Sequence, residues 1–301
     1  MKKSRYKPTR RALIFWTLFI GICAVAGAAG MFYDPSGKAM GMDAMLPYFA
    51  VLPFADVLFQ NFIFSGIALL TVNGISNLIA AFLLFKNKKS GIILGGIFGI
   101  TLMLWICIQF YMFPMNFMST TYFIFGFLQA VTGYAAWVFY EQEHFNVNES
   151  DYKNIGTNPE IAVIYFSRMG YTKKIAFEEA ERTGACIYEI KSTERTEGTL
   201  GFWWCGRFGM HRRAMPTKDI ECDISKFSHV TICSPIWVFS LAAPVRDFCQ
   251  KSNGKIKETD YILVHHMHKN FENAADEMDS LLGIRRTGFK SIQCKEGKFK
   301  N

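Results

Sequence analysis

Charged residues are scarce in this chain. Only 19% of its 301 residues are Asp, Glu, Lys or Arg, whereas soluble domains have about a quarter. Half of the residues are apolar and 29 are Phe. The length suffices for about two domains, and the composition argues against both a disordered chain and a single soluble domain.

Acidic residues are nearly missing from residues 1–140, which contain ten Lys and Arg but only three Asp. The rest of the chain carries 23 basic and 22 acidic residues. The net charge of +8 therefore belongs to the apolar half. There it indicates membrane topology, and no nucleic-acid partner is expected.

Histidine is missing before His144. A four-helix bundle that holds haem between paired membrane histidines is therefore excluded. The apolar half also lacks an embedded acid–base pair, which argues against a proton or ion pump.

Four apolar runs extend over residues 12–32, 61–85, 91–113 and 119–140. A helix needs about 20 residues to cross about 30 Å of hydrocarbon, and each run has that length. We predict an all-α four-helix transmembrane domain at 1–140, a linker at 141–159 and a second domain at 160–301. A cleaved signal peptide is an alternative for the first run, but the run is longer than usual for one.

Basic residues cluster on one side of these runs. The connection after the first run instead has Asp34, Asp43 and Asp56 against Lys38 alone. The positive-inside rule predicts a multi-pass protein of the cell membrane, with both termini and the second domain in the cytoplasm. The clustered residues are Lys2, Lys3, Arg5, Lys7, Arg10 and Arg11 before the first run, and Lys86, Lys88 and Lys89 between the second and third.

Small and amide residues interrupt the apolar runs. Gly91, Gly95 and Gly99 recur every four residues, which predicts a smooth helix face for close helix packing. The amides predict interhelical hydrogen bonds or, alternatively, a polar pocket for a quinone head group or another lipid-soluble ligand. They are Asn73, Asn77, Gln109 and Gln129.

Strand and helix patterns alternate in the second half. Strands are predicted at 161–166, 185–191, 228–233, 261–266 and 288–294. Helical patterns lie between them, which predicts an α/β domain with a doubly wound, five-stranded parallel sheet. Such sheets bind ligands at the carboxyl ends of their strands.

The first strand–helix turn contains two hydroxyls, Ser167 and Thr172, and a glycine, Gly170. Hydroxyls, free amides and a helix N-terminus together form a phosphate site. The Gly-Lys-Ser/Thr ending of a Walker loop is missing, and one glycine is too few for the dinucleotide-binding pattern.

This turn resembles the phosphate loop of the flavodoxin family, roughly Ser-x-Thr-Gly-x-Thr, with Met169 in place of Thr and Tyr171 in place of the frequent Asn. Residues 233–245 resemble the family's flavin-ring loop. The resemblance covers about 160–295 and implies FMN as cofactor. The residues that it implies as cofactor-binding are Ser167, Arg168, Met169, Gly170, Tyr171, Thr172, Ser234, Pro235, Ile236, Trp237, Val238, His266 and Met267.

Trp237 offers an aromatic face for the flavin ring, and backbone groups of 234–238 would tune its redox potential. His265, His266 and His268 follow the fourth strand. They are interpreted as lining the flavin pocket, or in the case of His265 as a strand residue. A metal site is the lesser alternative, because no Cys or carboxylate joins them at ligand spacing.

Residues 201–213 combine aromatic and basic side chains. A surface connection is the main interpretation; docking on the bilayer or on a substrate or partner are alternatives. The eight cysteines include no C-x-x-C pair, which predicts free thiols in a reducing compartment. Cys205 beside Arg207 is a candidate for an activated thiol.

The sequence thus predicts a membrane-anchored, FMN-binding protein that transfers electrons at the cytoplasmic membrane face. No catalytic side chain is required, because the flavin exchanges the electrons. The resemblance also allows a flavin-dependent oxidoreductase. The expected partners of the protein are the bilayer and a redox protein or quinone. The alternative is a non-enzymatic membrane protein whose second domain lost FMN and serves interaction or sensing.

Overall fold

The computed structural model describes residues 4–300. These residues form two compact units, with the boundary between Tyr140 and Glu141. Lys2 and Lys3 of the basic cluster lie outside the described residues. Each unit has its own hydrophobic core.

Four helices of the first unit are long and apolar enough to cross a membrane, which supports a membrane protein. They are α1 (Tyr6–Tyr33), α2 (Ile63–Phe85), α3 (Lys89–Met112) and α4 (Phe117–Glu143). The predicted runs are confirmed as helices. Their ends extend into charged residues because Lys, Arg and Glu are good helix formers. Residues Leu70–Ile75 of α2 form π-helix.

Glycine allows α3 and α4 to pack closely, as predicted. A Cβ on Gly99 would lie 2.5 Å from the Ala130 nitrogen, and a Cβ on Gly133 would lie 2.3 Å from the Gly96 Cα. Such distances leave no room for any side chain. The rest of the predicted strip faces other elements, because Gly95 lies against Leu13 of α1.

Buried amides join three of the helices. Gln129 Nε2 of α4 donates to Asn77 Oδ1 of α2 and to the Gly95 carbonyl of α3, both at 2.7 Å. Asn77 Nδ2 donates to the Asn73 carbonyl at 2.9 Å. The interhelical hydrogen bonds predicted for Asn77 and Gln129 are therefore confirmed. Gln109 of α3 also bonds another helix, as predicted, because its Oε1 accepts a hydrogen bond from the Ser119 hydroxyl of α4 at 3.0 Å.

The second unit is a mostly parallel sheet with helices on both faces. Its parallel strands have the order β2-β1-β3-β5-β6, which is the flavodoxin-like doubly wound order. Two short antiparallel strands add to the five predicted ones, β4 on β3 and β7 on β6. The strands are β1 (Asn158–Tyr165), β2 (Ala185–Glu189), β3 (His229–Trp237), β4 (Ser240–Leu241), β5 (Thr259–His265), β6 (Gly288–Lys295) and β7 (Lys298–Lys300).

The predicted number of five strands is wrong, because it leaves out the short strands β4 and β7. β4 has two residues and β7 has three, too few to produce a recognisable alternation of polar and apolar residues. Both pair with a neighbour in the chain through tight turns, so they extend the sheet without changing the order of its parallel strands.

Four helices cover the sheet: α5 (Tyr171–Thr183), α6 (Gly198–Met210), α7 (Ala243–Lys251) and α8 (Glu272–Leu282). Along β1, Ala162 and Ile164 pack toward α7 and α8, whereas Val163 and Tyr165 pack toward α5. This alternation places the two cores on opposite faces. Residues from the predicted linker, among them Val147, Tyr152 and Ile155, pack on the α5 face.

Replacing Gly99 by Leu should force α3 and α4 apart, because even a Cβ there clashes with backbone. Overpacking typically costs about 1–3 kcal/mol, so the thermal unfolding midpoint of the detergent-purified protein should fall. Gly27→Ala is the control, since only the flexible Leu69 side chain approaches its Cβ, at 3.2 Å. Equal midpoints for the two variants would contradict the close packing.

Candidate functional site

Three connections meet at the carboxyl edge of the sheet, after the neighbouring strands β1, β3 and β5. The connection from β1 leads to α5 on one face, while the chain after β3 leads to β4 and α7 on the other. β1 and β3 are therefore the point at which the winding reverses. Ligands of doubly wound sheets bind in the crevice at this point.

The β1–α5 loop leaves the start of α5 without a capping side chain. Gly170 is the N-cap residue, with φ +88°, a conformation that favours glycine. A Cβ at this position would also lie 3.0 Å from the Phe145 carbonyl oxygen. The uncapped first-turn amides and the helix dipole together favour an anion.

Both predicted hydroxyls lie at this helix start. Ser167 Oγ accepts a hydrogen bond from the Gly170 amide at 3.1 Å, which fixes the loop and leaves its own proton to donate. Thr172 lies in the first turn and is buried. Tyr171 packs against Phe145, with ring centroids 4.8 Å apart.

Arg168 points toward the connection before α6. Its Nε donates to the Thr196 carbonyl at 2.8 Å, and its guanidinium lies 4.6 Å from the Phe202 ring centroid. The side chain therefore supports a neighbouring loop. Met169 is half-buried and supplies no hydroxyl.

β3 continues to Trp237, four residues beyond its predicted end. Ser234 and Pro235 pair with Leu263 and Val264 of β5, so they are strand residues and not part of a loop. Ser234 is fully buried, and its hydroxyl donates to the Pro235 carbonyl at 2.9 Å. The extension was unexpected because proline is rare inside central strands.

Val238 and Phe239 form the two-residue turn between β3 and β4. Their φ angles are +46° and +61°, as a type I′ turn requires, although Asn and Gly are the usual residues there. Left-handed conformations of bulky residues cost about 1–3 kcal/mol each and concentrate at functional sites. Both side chains are exposed. Nothing in the sequence singled out Phe239.

Trp237 lies half-buried at the base of this turn. Its ring meets Phe166 edge-on, with centroids 5.3 Å apart. Ile236, also half-buried, pairs with Leu241 of β4. The hairpin thus presents an aromatic side chain and free strand-end backbone beside the β1–α5 loop.

Arg246 of α7 holds the hairpin and was missed by the sequence analysis. It is buried, and its Nη2 donates to Ser240 Oγ of β4 at 2.8 Å. Its Nε lies 2.5 Å from Glu277 Oε1 of α8, and Nη1 donates to the Arg213 carbonyl at 3.2 Å. No pattern in the sequence distinguishes it from surface arginines.

His265 is a buried strand residue with both ring nitrogens in use. Nδ1 bonds the Met267 carbonyl at 2.7 Å, and Nε2 bonds Ser291 Oγ at 2.8 Å. Burial lowers its pKa. His266 and Met267 are exposed in the β5–α8 connection. Within residues 4–300, no group of His, Cys, Asp and Glu side chains could hold a metal ion.

Residues 201–210 continue α6, which packs beside the hairpin: a Cβ on Gly209 would lie 3.3 Å from Trp237 Cβ. Cys205 faces inward, and burial raises its pKa to about 11. The activated thiol is therefore wrong. Trp203 is 63% exposed, whereas Trp204 donates to Glu194 at 3.1 Å.

No protein-family model matches the chain, and no curated protein does. Solved structures similar to its C-terminal part are flavoproteins. One, from Lactobacillus acidophilus in complex with FMN, is 17% identical; the match covers 44% of this chain and 93% of that one, with a TM-score of 0.39. A putative flavoprotein from Bacteroides uniformis is 17% identical over 46% and 94% of the two chains, with a TM-score of 0.40.

The double substitution Val238→Asn with Phe239→Gly should stabilise the second unit. Asn and Gly adopt positive φ with little strain, so removing about 1–3 kcal/mol per residue should raise the thermal midpoint of this unit. Calorimetry of the full-length protein tests this. The control is Lys257→Asn, at an exposed position outside any left-handed conformation, which should leave the midpoint unchanged. An unchanged or lower midpoint would show that the turn stores no strain.

Proposed function

We propose that the second unit binds FMN and transfers electrons through it at the cytoplasmic face of the membrane in which the first unit is anchored. The observation that carries this proposal is the uncapped N-terminus of α5, entered through Gly170 at the switch point of the sheet.

The residues at this helix start fit the phosphate of FMN. The first-turn amides, the Ser167 hydroxyl proton and Thr172 Oγ1 are donors suited to a phosphate oxygen. Gly170 keeps the loop tight where a side chain would strain it. Backbone donors compensate for Met169, which stands where the flavodoxin pattern has a hydroxyl.

The hairpin fits the flavin ring. Trp237 offers an aromatic surface. The last strand pair before the turn is Trp237–Ser240, so the backbone of Val238 and Phe239 takes no part in strand pairing. These groups orient the ring and bond its edge. When bound, FMN supplies the electron chemistry, so the protein needs no acid or base here. His266 and Met267 border the same edge from the β5 side.

Charge supports the cytoplasmic placement. Arg10 and Lys86 lie at one end of the helices, where α1 begins and α2 ends, and Asp34 and Asp43 follow the opposite end of α1. The positive-inside rule assigns the basic end to the cytoplasm. The eight cysteines are free, as expected on a reducing side. The proposed electron partner is a redox protein or a quinone.

A non-enzymatic role remains the second candidate. The Ser234 hydroxyl donates to the Pro235 carbonyl, and Met169 stands where the flavodoxin pattern has a hydroxyl, so neither side chain offers a hydroxyl donor to a flavin. In this case the second unit would serve interaction or sensing.

The absorption spectrum of the detergent-purified protein separates the two functions. We expect the visible bands of oxidised flavin, bleached by dithionite. Thr172→Ala should weaken FMN binding about 10- to 100-fold, since a hydrogen bond to a charged group contributes about 1.5–3 kcal/mol. Thr183→Ala, at the far end of the same helix, should bind FMN normally. A protein that stays colourless after FMN is added would refute the proposal.

Reporter fusions test the sidedness. Green fluorescent protein joined after Glu143 should fluoresce, because that end of α4 is proposed to be cytoplasmic. The same reporter joined after Gly41, in the acidic connection, should stay dark, and alkaline phosphatase should show the reverse pattern. Phosphatase activity from the Glu143 fusion would invert the topology and separate the second unit from cytoplasmic reductants.

A further inference from the structure

The first unit contains an apolar cavity of about 420 Å³, within the roughly 300–1,000 Å³ of small-molecule sites. It lies where α1 and α3 end and α2 begins, at the opposite end of the helices from Arg10 and Lys86. Aromatic and methionine side chains form its walls, among them Met31, Phe49, Phe62, Trp105, Met112 and Phe113.

Two polar side chains line the cavity, and both offer a hydrogen-bond donor. Ser65 is 7% exposed, and its hydroxyl has no hydrogen-bond partner in the described structure. Gln109 uses Oε1 to accept from Ser119 at 3.0 Å, which directs its amide NH₂ elsewhere. A buried hydroxyl without a partner is costly, so a ligand acceptor beside Ser65 would remove that cost.

Among the described residues, none that lines the cavity is charged. A phospholipid head group or a fatty-acid carboxylate would therefore enter it without a counter-charge, which disfavours both. The ligand chemistry that the walls fit is uncharged, with a flat ring against aromatic side chains and carbonyl oxygens for the two donors.

We propose that this cavity binds the head group of a membrane quinone. Ser65 is the third residue of α2, and Gln109 lies three residues before the end of α3. The donors are therefore about 3–5 Å inside the helix ends, at a depth where a polar ring meets the interface while its isoprenoid tail extends into lipid. The adaptable methionines suit such a tail.

This site differs from the amide cluster that the sequence suggested for a quinone. Asn77 and Gln129 bond each other across α2 and α4, and neither lines the cavity. Only Gln109 of the four amides does. Quinone binding at this cavity does not depend on FMN in the second unit.

Binding is tested with the full-length protein in detergent and a benzoquinone that carries one isoprenoid unit, followed by quenching of tryptophan fluorescence, since Trp105 lines the cavity. Ser65→Ala and Gln109→Leu should each weaken binding about three- to tenfold, the value of one neutral hydrogen bond. Ser76→Ala is the matched control: it lies on the same helix, with its hydroxyl bonded to the Val72 carbonyl.

A variant that fills the cavity separates loss of binding from loss of folding. Ala68 lines the cavity, so Ala68→Phe should abolish quinone binding while the thermal midpoint stays at or above that of the unsubstituted protein. If Ser65→Ala, Gln109→Leu and Ala68→Phe all lose binding and also have lowered thermal midpoints, while Ser76→Ala does not, the result would contradict the proposed site. The loss of binding would then follow from destabilised folding.

A prenyl alcohol with the same tail but no ring distinguishes a quinone site from a lipid cleft. If it competes as strongly as the quinone, or if Ser65→Ala and Gln109→Leu bind the quinone normally, the proposal is wrong. Absence of saturable quenching also overturns it. The flavin spectrum of the same samples is recorded separately, so a colourless protein that binds quinone refutes only the proposed FMN function.

Discussion

Parallel pairing of β1 with β3 positions the candidate site. Five register pairs, from Ile161–His229 to Tyr165–Cys233, hold the strands together, and the Phe166 amide donates to the Cys233 carbonyl at 3.2 Å just beyond them. The chain then leaves the two strands toward opposite faces. The start of α5 and the Val238–Phe239 turn therefore border one crevice, and neither would do so in another strand order.

The parts that follow from long patterns could be predicted from the sequence. The four uncharged runs predict helices because each is long enough to cross a bilayer as a helix. Continuous apolar segments predict the central strands. The extension of β3 through Pro235 could not be predicted, since proline normally ends a central strand. The turn at Val238 and Phe239 lacks the Asn or Gly that signals such turns, and tertiary contacts from Arg246 maintain it.

The same contrast holds in the first unit. Glycine spacing correctly indicated close helix packing, because a missing side chain has a direct steric consequence. The amides carried no comparable information on their partners. Gln129 donates to Asn77, whereas Gln109 accepts from Ser119 and lines a cavity. About half of the cavity's lining residues belong to connections between the helices, where the sequence shows no helical periodicity. Which polar residue meets which depends on the folded arrangement of the helices.

Because of its glycines, helix α6 depends on tertiary contacts for its stability. Gly201, Gly206 and Gly209 lie inside the helix, and each costs about 1 kcal/mol of helix propensity relative to alanine. Contacts with Trp237 and Ala243 offset that cost. A helix that is stabilised mainly by contacts with its neighbours is expected to unfold locally before the rest of the domain. The amide hydrogen-exchange rates of α6 would thus report directly on how firmly the adjacent hairpin is held.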